Sequence, residues 1–563
     1  MKKISLLLII FLFLHPSLFS ASKKPVRGKH GMVVAADPLA AQAGLEILKA
    51  GGNAVDAAVA VGFALAVTYP AAGNIGGGGF MNIRLADGTS ITIDYREKAP
   101  GKAFRDMYLD SAGNFLPQKS QYGHLASGVP GSVAGMLLGL EKFGTMNRKQ
   151  VISPAYKLAN DGFPLLRELA EDIKYSIKEF LPFPGSMKSF TKNGKPYEEG
   201  EIWKQPDLAK TLQRIIEKGR DGFYKGETAK LIVEEMKRGG GLISLEDLAN
   251  YHAALRKPVS GTYRGYEIIS MPPPSSGGIA LIQLLNILEG YPLKNYGANS
   301  ANTLQRYIEA MRRVYADRAE FLGDPDFYKV PSTWLTSKDY AALRRATIDT
   351  LHATPSSEVS HGTKPPHEPD ETTHYSVVDK WGNCVSVTTT INGGFGSCVV
   401  VDGAGFLLNN EMDDFSAKPG VPNMFGALGN VANEIQPNKR MLSSMTPTIV
   451  LKDGKPFMVI GTPGGTTIIT TVMQVICNVI DFGINIQEAI DAPRIHQQWF
   501  PDSTFFEKRG LSFDTLEKLK AMGQTMIERR GNSGLAEGII IDSERNIYYG
   551  ATDPRGYGAA VGY

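Results

Sequence analysis

Apolar residues recur at helical spacing through Leu39, Ala43, Leu45, Ile47 and Leu48, predicting an amphipathic helix that Asp37-Pro38 opens and Gly51-Gly52 closes. Asn53 then caps a second helix. It carries Val55, Ala58, Val59, Val61, Phe63, Ala64 and Val67, apolar on most sides up to Pro70, so burial in the body of the fold is expected. Alternation replaces this period over residues 80–85 and 90–95, two strands turning at Asp87-Gly88. Residues 130–350 read as mainly helical, most clearly 304–321, with breaks such as Met271-Pro272-Pro273-Pro274. Between 352 and 371 the pattern dissolves into His, Pro, Ser, Glu and Lys with almost no apolar side chain, which predicts a flexible tether. Strand alternation then starts abruptly. Residues 373–378 and 384–390 flank Lys380-Trp381-Gly382-Asn383 as a hairpin, and 406–563 return to strand and turn signals with one buried helix expected over 468–480.

A chain of 563 residues allows several domains or one large layered domain. Its 60 basic and 57 acidic residues leave +3, which argues against nucleic acid as a partner. At the start, Lys2 and Lys3 precede an apolar run over residues 6–14 and a small-residue site, Ser20-Ala21-Ser22. This reads as a signal peptide over residues 1–22, with a mature chain from Lys23 that is periplasmic or secreted. The run is shorter than the roughly 20 residues that cross a bilayer, so no stable membrane anchor is expected, an uncleaved anchor being the lesser alternative. The three cysteines, Cys384, Cys398 and Cys477, permit at most one internal disulfide. Cys384 and Cys398 could form it; buried free thiols are the plainer reading.

Several chemical engines are missing. No G-x-S-x-G elbow occurs, and His367-Glu368-Pro369-Asp370-Glu371 has Glu371 where a zinc helix needs its second histidine and Pro369 where it needs helix interior. His352, His361, His367 and His374 lack the spacing of a metal site, and no cofactor is expected. The glycines 76–79 lack the Lys-Ser/Thr of a phosphate loop and read either as a tight, close-packed turn or as a wall of the active site.

Against this background Thr372-Thr373-His374-Tyr375-Ser376-Val377-Val378-Asp379 stands at the join of tether and strand. It resembles the start of the small subunit of gamma-glutamyltranspeptidases. Further motifs follow in that family's order: Thr390-Ile391-Asn392, Leu408-Asn409-Asn410-Glu411-Met412-Asp413-Asp414-Phe415, Lys439-Arg440-Met441-Leu442-Ser443-Ser444-Met445, Pro463-Gly464-Gly465 and Asp553-Pro554-Arg555. Upstream, Asp94-Tyr95-Arg96-Glu97-Lys98-Ala99-Pro100 and the glycine run match too. The resemblance spans nearly the whole mature chain. It implies an α+β fold, the four-layer αββα sandwich of N-terminal-nucleophile hydrolases. It also implies self-cleavage between Glu371 and Thr372 into a large subunit, residues 23–371, and a small one, 372–563, that stay together as a heterodimer.

The chemistry suits the residue types. A threonine hydroxyl needs a base, and a free α-amine with pKa near about 8 on the same residue can serve. The resemblance makes Thr372 the nucleophile toward glutathione and other gamma-glutamyl compounds, with water or amino acid and dipeptide acceptors taking the acyl group. It gives Thr390 the task of orienting the nucleophile and Gly464 and Gly465 the oxyanion hole. Arg96, with Ser443 and Ser444, is expected to grip the donor α-carboxylate. Asn392, Glu411 and Asp414 are expected to hold the α-ammonium. Three departures from the family pattern bear on acceptor choice and lid control: Phe425 for a lid tyrosine that would bond Asn392, Thr466-Thr467 for Ser-Arg, and Met441 for proline. Within the fold the rival is an acylase of glutaryl-type beta-lactam precursors, which has no donor ammonium to bind. From another class, a processed but inactive envelope binding protein is the alternative.

Overall fold

The computed structural model describes residues 22–361, 372–418, 421, 424 and 430–563. In chain order the strands of its two main sheets are β1 (Val26–Gly28), β2 (Gly31–Ala35), β3 (Gly78–Arg84), β4 (Ser90–Asp94), β5 (Ala254–Arg256), β6 (Val259–Tyr263), β7 (Tyr266–Ser270), β8 (Thr373–Asp379), β9 (Cys384–Thr390), β10 (Thr448–Lys452), β11 (Lys455–Gly461), β12 (Glu537–Asp542), β13 (Ile547–Thr552) and β14 (Ala559–Gly562). One sheet runs β14-β2-β8-β9-β3-β4-β5 and the other β1-β13-β12-β11-β10-β7-β6, seven strands each. The hairpin predicted after the tether thus forms the middle of the first sheet.

Alternation along the strands builds the layers. Met32 and Val34 of β2 and Val378 of β8 face Ile269 of β7, Ile449 of β10, Val459 of β11 and Ile539 of β12 in an apolar layer between the sheets. Val33 and Val377, one position away, face outward. There they meet α1 (Pro38–Lys49), α2 (Ala54–Thr68) and α3 (Ser132–Phe143). On the far side α4 (Gly277–Glu289), α5 (Ala301–Phe321) and α6 (Thr467–Ile480) cover Val450, Met458 and Ile460 of the second sheet. The result is the expected αββα sandwich. The predicted caps set its first helices: Asp37 Oδ1 accepts from the amides of Leu39 and Ala40, and Asn53 and Asp56 close a capping box at the head of α2, which is buried along its whole length.

Two expectations change. The mainly helical middle also contains β5, β6 and β7, which complete both sheets. Their period was obscured because β6 is short, half exposed and interrupted by Gly261, which lies against Ile282. The start of the expected tether is fastened down. The Ser356 hydroxyl donates to Asp502 at 2.7 Å, Trp499 Nε1 donates to the Ser356 carbonyl at 2.8 Å, and Val359 is buried; these partners lie far along the chain, which composition alone does not reveal. The remainder, 362–371, lies outside the described residues, as do Glu371, His367, Phe425 and the signal segment 1–21. For the cysteines the plainer reading holds, since all three are buried and free. Cys384 packs in the apolar layer between the sheets, whereas Cys398 belongs to the core on the helical side of the first sheet, so the two thiols sit in different clusters.

Candidate active site

Strand pairing brings the first pair of site residues together. Thr373 of β8 lies opposite Thr389 of β9, so one step further out Thr372 and Thr390 face each other at the end of the central hairpin. Thr372 is buried to 8% exposure in the wall of a cavity of ≈ 780 Å³, which it shares with Tyr69, Pro463, Gly464 and Gly534. Thr390 Oγ1 accepts from the Asn392 amide at 2.7 Å, and Asn392 sits at φ 75° with its side-chain amide donating to the Asn410 carbonyl at 3.0 Å. The glycine run lies directly behind this end. A Cβ at Gly77 would stand 2.1 Å from the Thr390 carbonyl and one at Gly79 2.6 Å from that of Thr388, so the close-packed reading describes it: the glycines let β3 approach β9.

Gly464 and Gly465 turn the chain into α6 at φ 131° and 49°, the first a conformation kept for glycine. The Thr467 hydroxyl donates to the Gly464 carbonyl at 2.7 Å and holds that turn. The positive end of α6 therefore begins two residues from the turn that borders Thr372.

The residues expected from the sequence to recognise the donor form a second, buried group. Arg96 is 1% exposed; its Nη1 donates to Glu411 Oε1 at 2.5 Å, its Nη2 to Asp414 and to the Leu442 carbonyl at 3.1 Å, and its Nε to the Met441 carbonyl at 3.3 Å. Glu97 Oε2 stands 3.5 Å from the same guanidinium. This is neither a surface ion pair nor a solvated acidic turn, because Arg96, Glu97 and Glu411 are buried and Asp414 is mostly so. Burial pulls the guanidinium pKa down, but Glu411, Asp414 and Glu97 more than offset it. Burial pushes both Glu97 and Glu411 upward, with Arg96 opposing.

Ser443 Oγ accepts from the Met445 amide at 3.1 Å, and Ser444 Oγ accepts from Arg318 Nη2 at 2.9 Å. Arg318 in turn donates from Nε to Ser276 at 2.8 Å. Sequence reasoning missed Arg318, Asn410 and Glu97 as members of the site; Glu97 and Asn410 carried a signal, lying in the Arg96 and Glu411 motifs, and Arg318 carried none. His374, two residues past Thr372, is buried with ring nitrogens 2.9 Å from Thr388 Oγ1 and 3.1 Å from Ser376 Oγ. Burial lowers its pKa to about 3, so it serves as a neutral strut of the sheet.

Layers, topology and a threonine at the head of a central strand, open to a cavity, define an N-terminal-nucleophile hydrolase fold. The family model described as Gamma-glutamyltranspeptidase matches residues 40–563. The chain belongs to the gamma-glutamyltranspeptidase family and is an enzyme of that type. It is 54% identical to the glutathione hydrolase proenzyme of Escherichia coli (strain K12), over 94% of this chain and 91% of the relative. In structure it resembles a cephalosporin acylase from Bacillus halodurans, TM-score 0.87 at 29% identity with 98% of each chain covered. It also resembles Helicobacter pylori gamma-glutamyltranspeptidase, TM-score 0.58 at 48% identity, over 61% of this chain and 96% of that one. Among the described residues no helix is long and apolar enough to cross a membrane.

Proposed function

We propose that the enzyme is a periplasmic or secreted gamma-glutamyltranspeptidase and glutathione hydrolase in which Thr372, freed by cleavage after Glu371, is the nucleophile. The observation that carries this is the position of Thr372 immediately before the central strand, buried in the wall of a cavity beside Gly464. The relatives support the cut: the solved Helicobacter pylori chain is matched almost completely yet accounts for 61% of this one.

In maturation the Thr372 hydroxyl adds to the Glu371 carbonyl and the peptide C–N bond breaks, which gives an ester and frees the Thr372 amine; water then hydrolyses the ester, releasing the Glu371 carboxylate and restoring the hydroxyl. In turnover that amine takes the hydroxyl proton as Oγ adds to the gamma-amide carbonyl. The oxyanion meets the Gly464 and Gly465 amides, donors worth about 3 kcal/mol each. The leaving amine carries the proton away, and water or an acceptor amine, from an amino acid or dipeptide, then takes the acyl group from Thr372.

The Arg96 group explains why the donor carries both α-charges. A buried charge left unpaired is costly. Arg96 is already forked between Glu411 and Asp414, so a donor α-carboxylate must displace a carboxylate, and the donor α-ammonium gives the displaced one a partner. A zwitterion exchanges partners without changing the buried net charge. A glutaryl chain brings only the carboxylate, and Glu411 and Asp414 disfavour it; this argues against the acylase rival. Ser443 and Ser444 supply hydroxyls beside the same carboxylate, Asn392 an amide carbonyl for the ammonium. The test is to purify the Thr372→Ala protein: it is expected as one uncut polypeptide without activity on a chromogenic gamma-glutamyl anilide. Two subunits on a denaturing gel would refute self-cleavage. Wild-type protein that hydrolyses only a glutaryl anilide would establish the acylase reading, and silence on both substrates the binding-protein reading.

A further inference from the structure

Among the described residues that line the cavity at Thr372, none belongs to the donor group of Arg96, Glu411, Ser443 and Ser444. One wall is a single face of the helix Arg167–Phe180. Glu168, Asp172, Tyr175 and Glu179 recur there at spacings of four, three and four, the stripe that one side of an α-helix presents. Leu169, Ala170, Ile173 and Phe180 form the buried face, and the helix lysines, Lys174 and Lys178, do not line the cavity. Charge is thus segregated, acids toward the nucleophile. Like charges four residues apart, as Glu168 and Asp172 are, destabilise a helix, so the stripe is kept at a cost to folding.

Aromatic rings share the space. Tyr175 is 79% exposed and Tyr122 42%, both in the cavity wall, while Tyr69 and Tyr557 pair edge to face with centroids 5.6 Å apart. The Tyr557 hydroxyl is buried without a hydrogen-bond partner among the described residues. Burial, then Tyr69 and Asp172, keep it protonated, which places it near the acidic stripe as a donor awaiting an acceptor. Carboxylates and tyrosine faces together attract cations, the first by charge and the second by the ring quadrupole. Across the cavity stand Arg529 and Arg555, the latter donating to Glu507 and Asp553.

We propose that this cavity is the acceptor half of the site, and that Glu168, Asp172 and Glu179, with Tyr175, select acceptor amines carrying a second positive charge: basic amino acids, dipeptides containing them, and diamines. The inference rests on Thr372 as the nucleophile and adds to it a chemical class of acceptor. The acyl group passes from Thr372 Oγ to the acceptor nitrogen, whose proton leaves through the Thr372 amine. The stripe touches only the remote cation and acts on binding.

The test is a competition. Gly-Lys and Gly-Glu are supplied together as acceptors with saturating gamma-glutamyl anilide, and the two transfer products are quantified by mass spectrometry. Gly-Lys is expected to win by about tenfold at low ionic strength, the effect of two or three facing charges in partly screened solvent. The ratio is expected to shrink several-fold in roughly 1 M salt, where the screening length falls to about 3 Å. In the triple variant Glu168→Gln, Asp172→Asn, Glu179→Gln it is expected to approach one. A ratio near one in the unaltered enzyme, or a preference that survives the triple substitution, overturns the proposal and leaves the stripe as an ordinary solvated helix face. Because the ratio is taken within one enzyme, changes in overall rate cancel. Calorimetric binding of each dipeptide gives the same ratio without turnover, and equal binding overturns the proposal as well. The first-turnover burst of anilide reports on Thr372 separately. Loss of that burst in the unaltered enzyme would sink the nucleophile assignment while the binding ratio still judged the wall.

Discussion

Replacing Arg96 by methionine removes the guanidinium that faces Glu97, Glu411 and Asp414 while keeping a chain of similar length. Breaking a buried ion pair by deleting one partner costs about 3–5 kcal/mol, because the other charge stays behind. Unfolding entropy of about 2.1 cal/mol/K per residue, over 563 residues, amounts to about 1.2 kcal/mol/K, so the thermal midpoint is expected to fall by about 3–4 °C. The deficit has a pH signature. Burial already raises Glu97 and Glu411 above their unfolded values, and loss of Arg96, which opposes burial, raises them further. A carboxylate whose folded pKa is raised holds a proton that the unfolded chain has lost, so stability falls as pH rises through that window. The Arg96→Met deficit is therefore expected to be larger near about pH 8 than near about pH 5.5, where protonation removes the uncompensated charges. Scanning calorimetry at one fixed rate, on both proteins at both pH values, reads this. An unchanged midpoint, or a deficit that grows toward acid, would refute the electrostatic reasoning. The same variant is expected to raise the KM for a gamma-glutamyl anilide by roughly 10–100-fold, the worth of a charged hydrogen-bond pair.

Other outcomes follow from the geometry. Gly464→Ala forces a side chain into φ 131° with its Cβ 2.5 Å from Thr467 Oγ1, a strain of about 1–3 kcal/mol at the oxyanion turn, so kcat is expected to drop by roughly 10–100-fold; a wild-type rate would remove Gly464 from the mechanism. Asp413 is buried against Ser120 and the Met424 amide, and burial lifts its pKa to about 7. Since the folded value lies above the ordinary carboxylate value of 3.8, this group's contribution to stability is lost as pH rises from about 4 to about 7, by at most about 1.4 kcal/mol per unit. Asp413→Asn, which removes the titrating proton while its single carbonyl oxygen can accept only one of the two bonds, is expected to lower stability overall and to flatten that slope, and identical slopes would contradict the assignment. Burial pushes the Cys398 and Cys477 thiols up to about 12 and Cys384 higher still, so a thiol reagent is expected to label none of the three in native protein and all of them in denaturant. Rapid native labelling of any one would show that its strand, loop or helix opens.

Local signals were the legible part of the fold. Asp37-Pro38 and Asn53 announce their helices because a cap is a matter of neighbouring residues, and the hairpin around residues 380–383 announces itself because strand period and turn lie in one short stretch. The strands β5 to β7 were not legible. Their stabilising partners, β4 and β10, are about 160 and 180 positions away, and an edge hairpin with exposed alternate residues carries little period of its own. Fastening of residues 352–361 was hidden for a similar reason, since Ser356 is held by Asp502 and Trp499 from the far end of the chain. At the site, motif matches supplied the residues but not their arrangement. Nothing local in Arg96-Glu97 or Asp413-Asp414 says that Arg96 would be forked between Glu411 and Asp414, or that Arg318 would hold Ser444; these contacts span 126 to 318 positions.

The most direct measurement traps the acyl-enzyme. Purified protein is mixed briefly with a gamma-glutamyl donor, quenched in acid, digested and examined by peptide mass spectrometry. The gamma-glutamyl group is expected as an ester on the side chain of Thr372 in a peptide whose first residue is Thr372 and whose α-amine is free. An adduct on another residue, or active protein in which Glu371 is still joined to Thr372, would contradict the assignment of nucleophile and base to one N-terminal threonine.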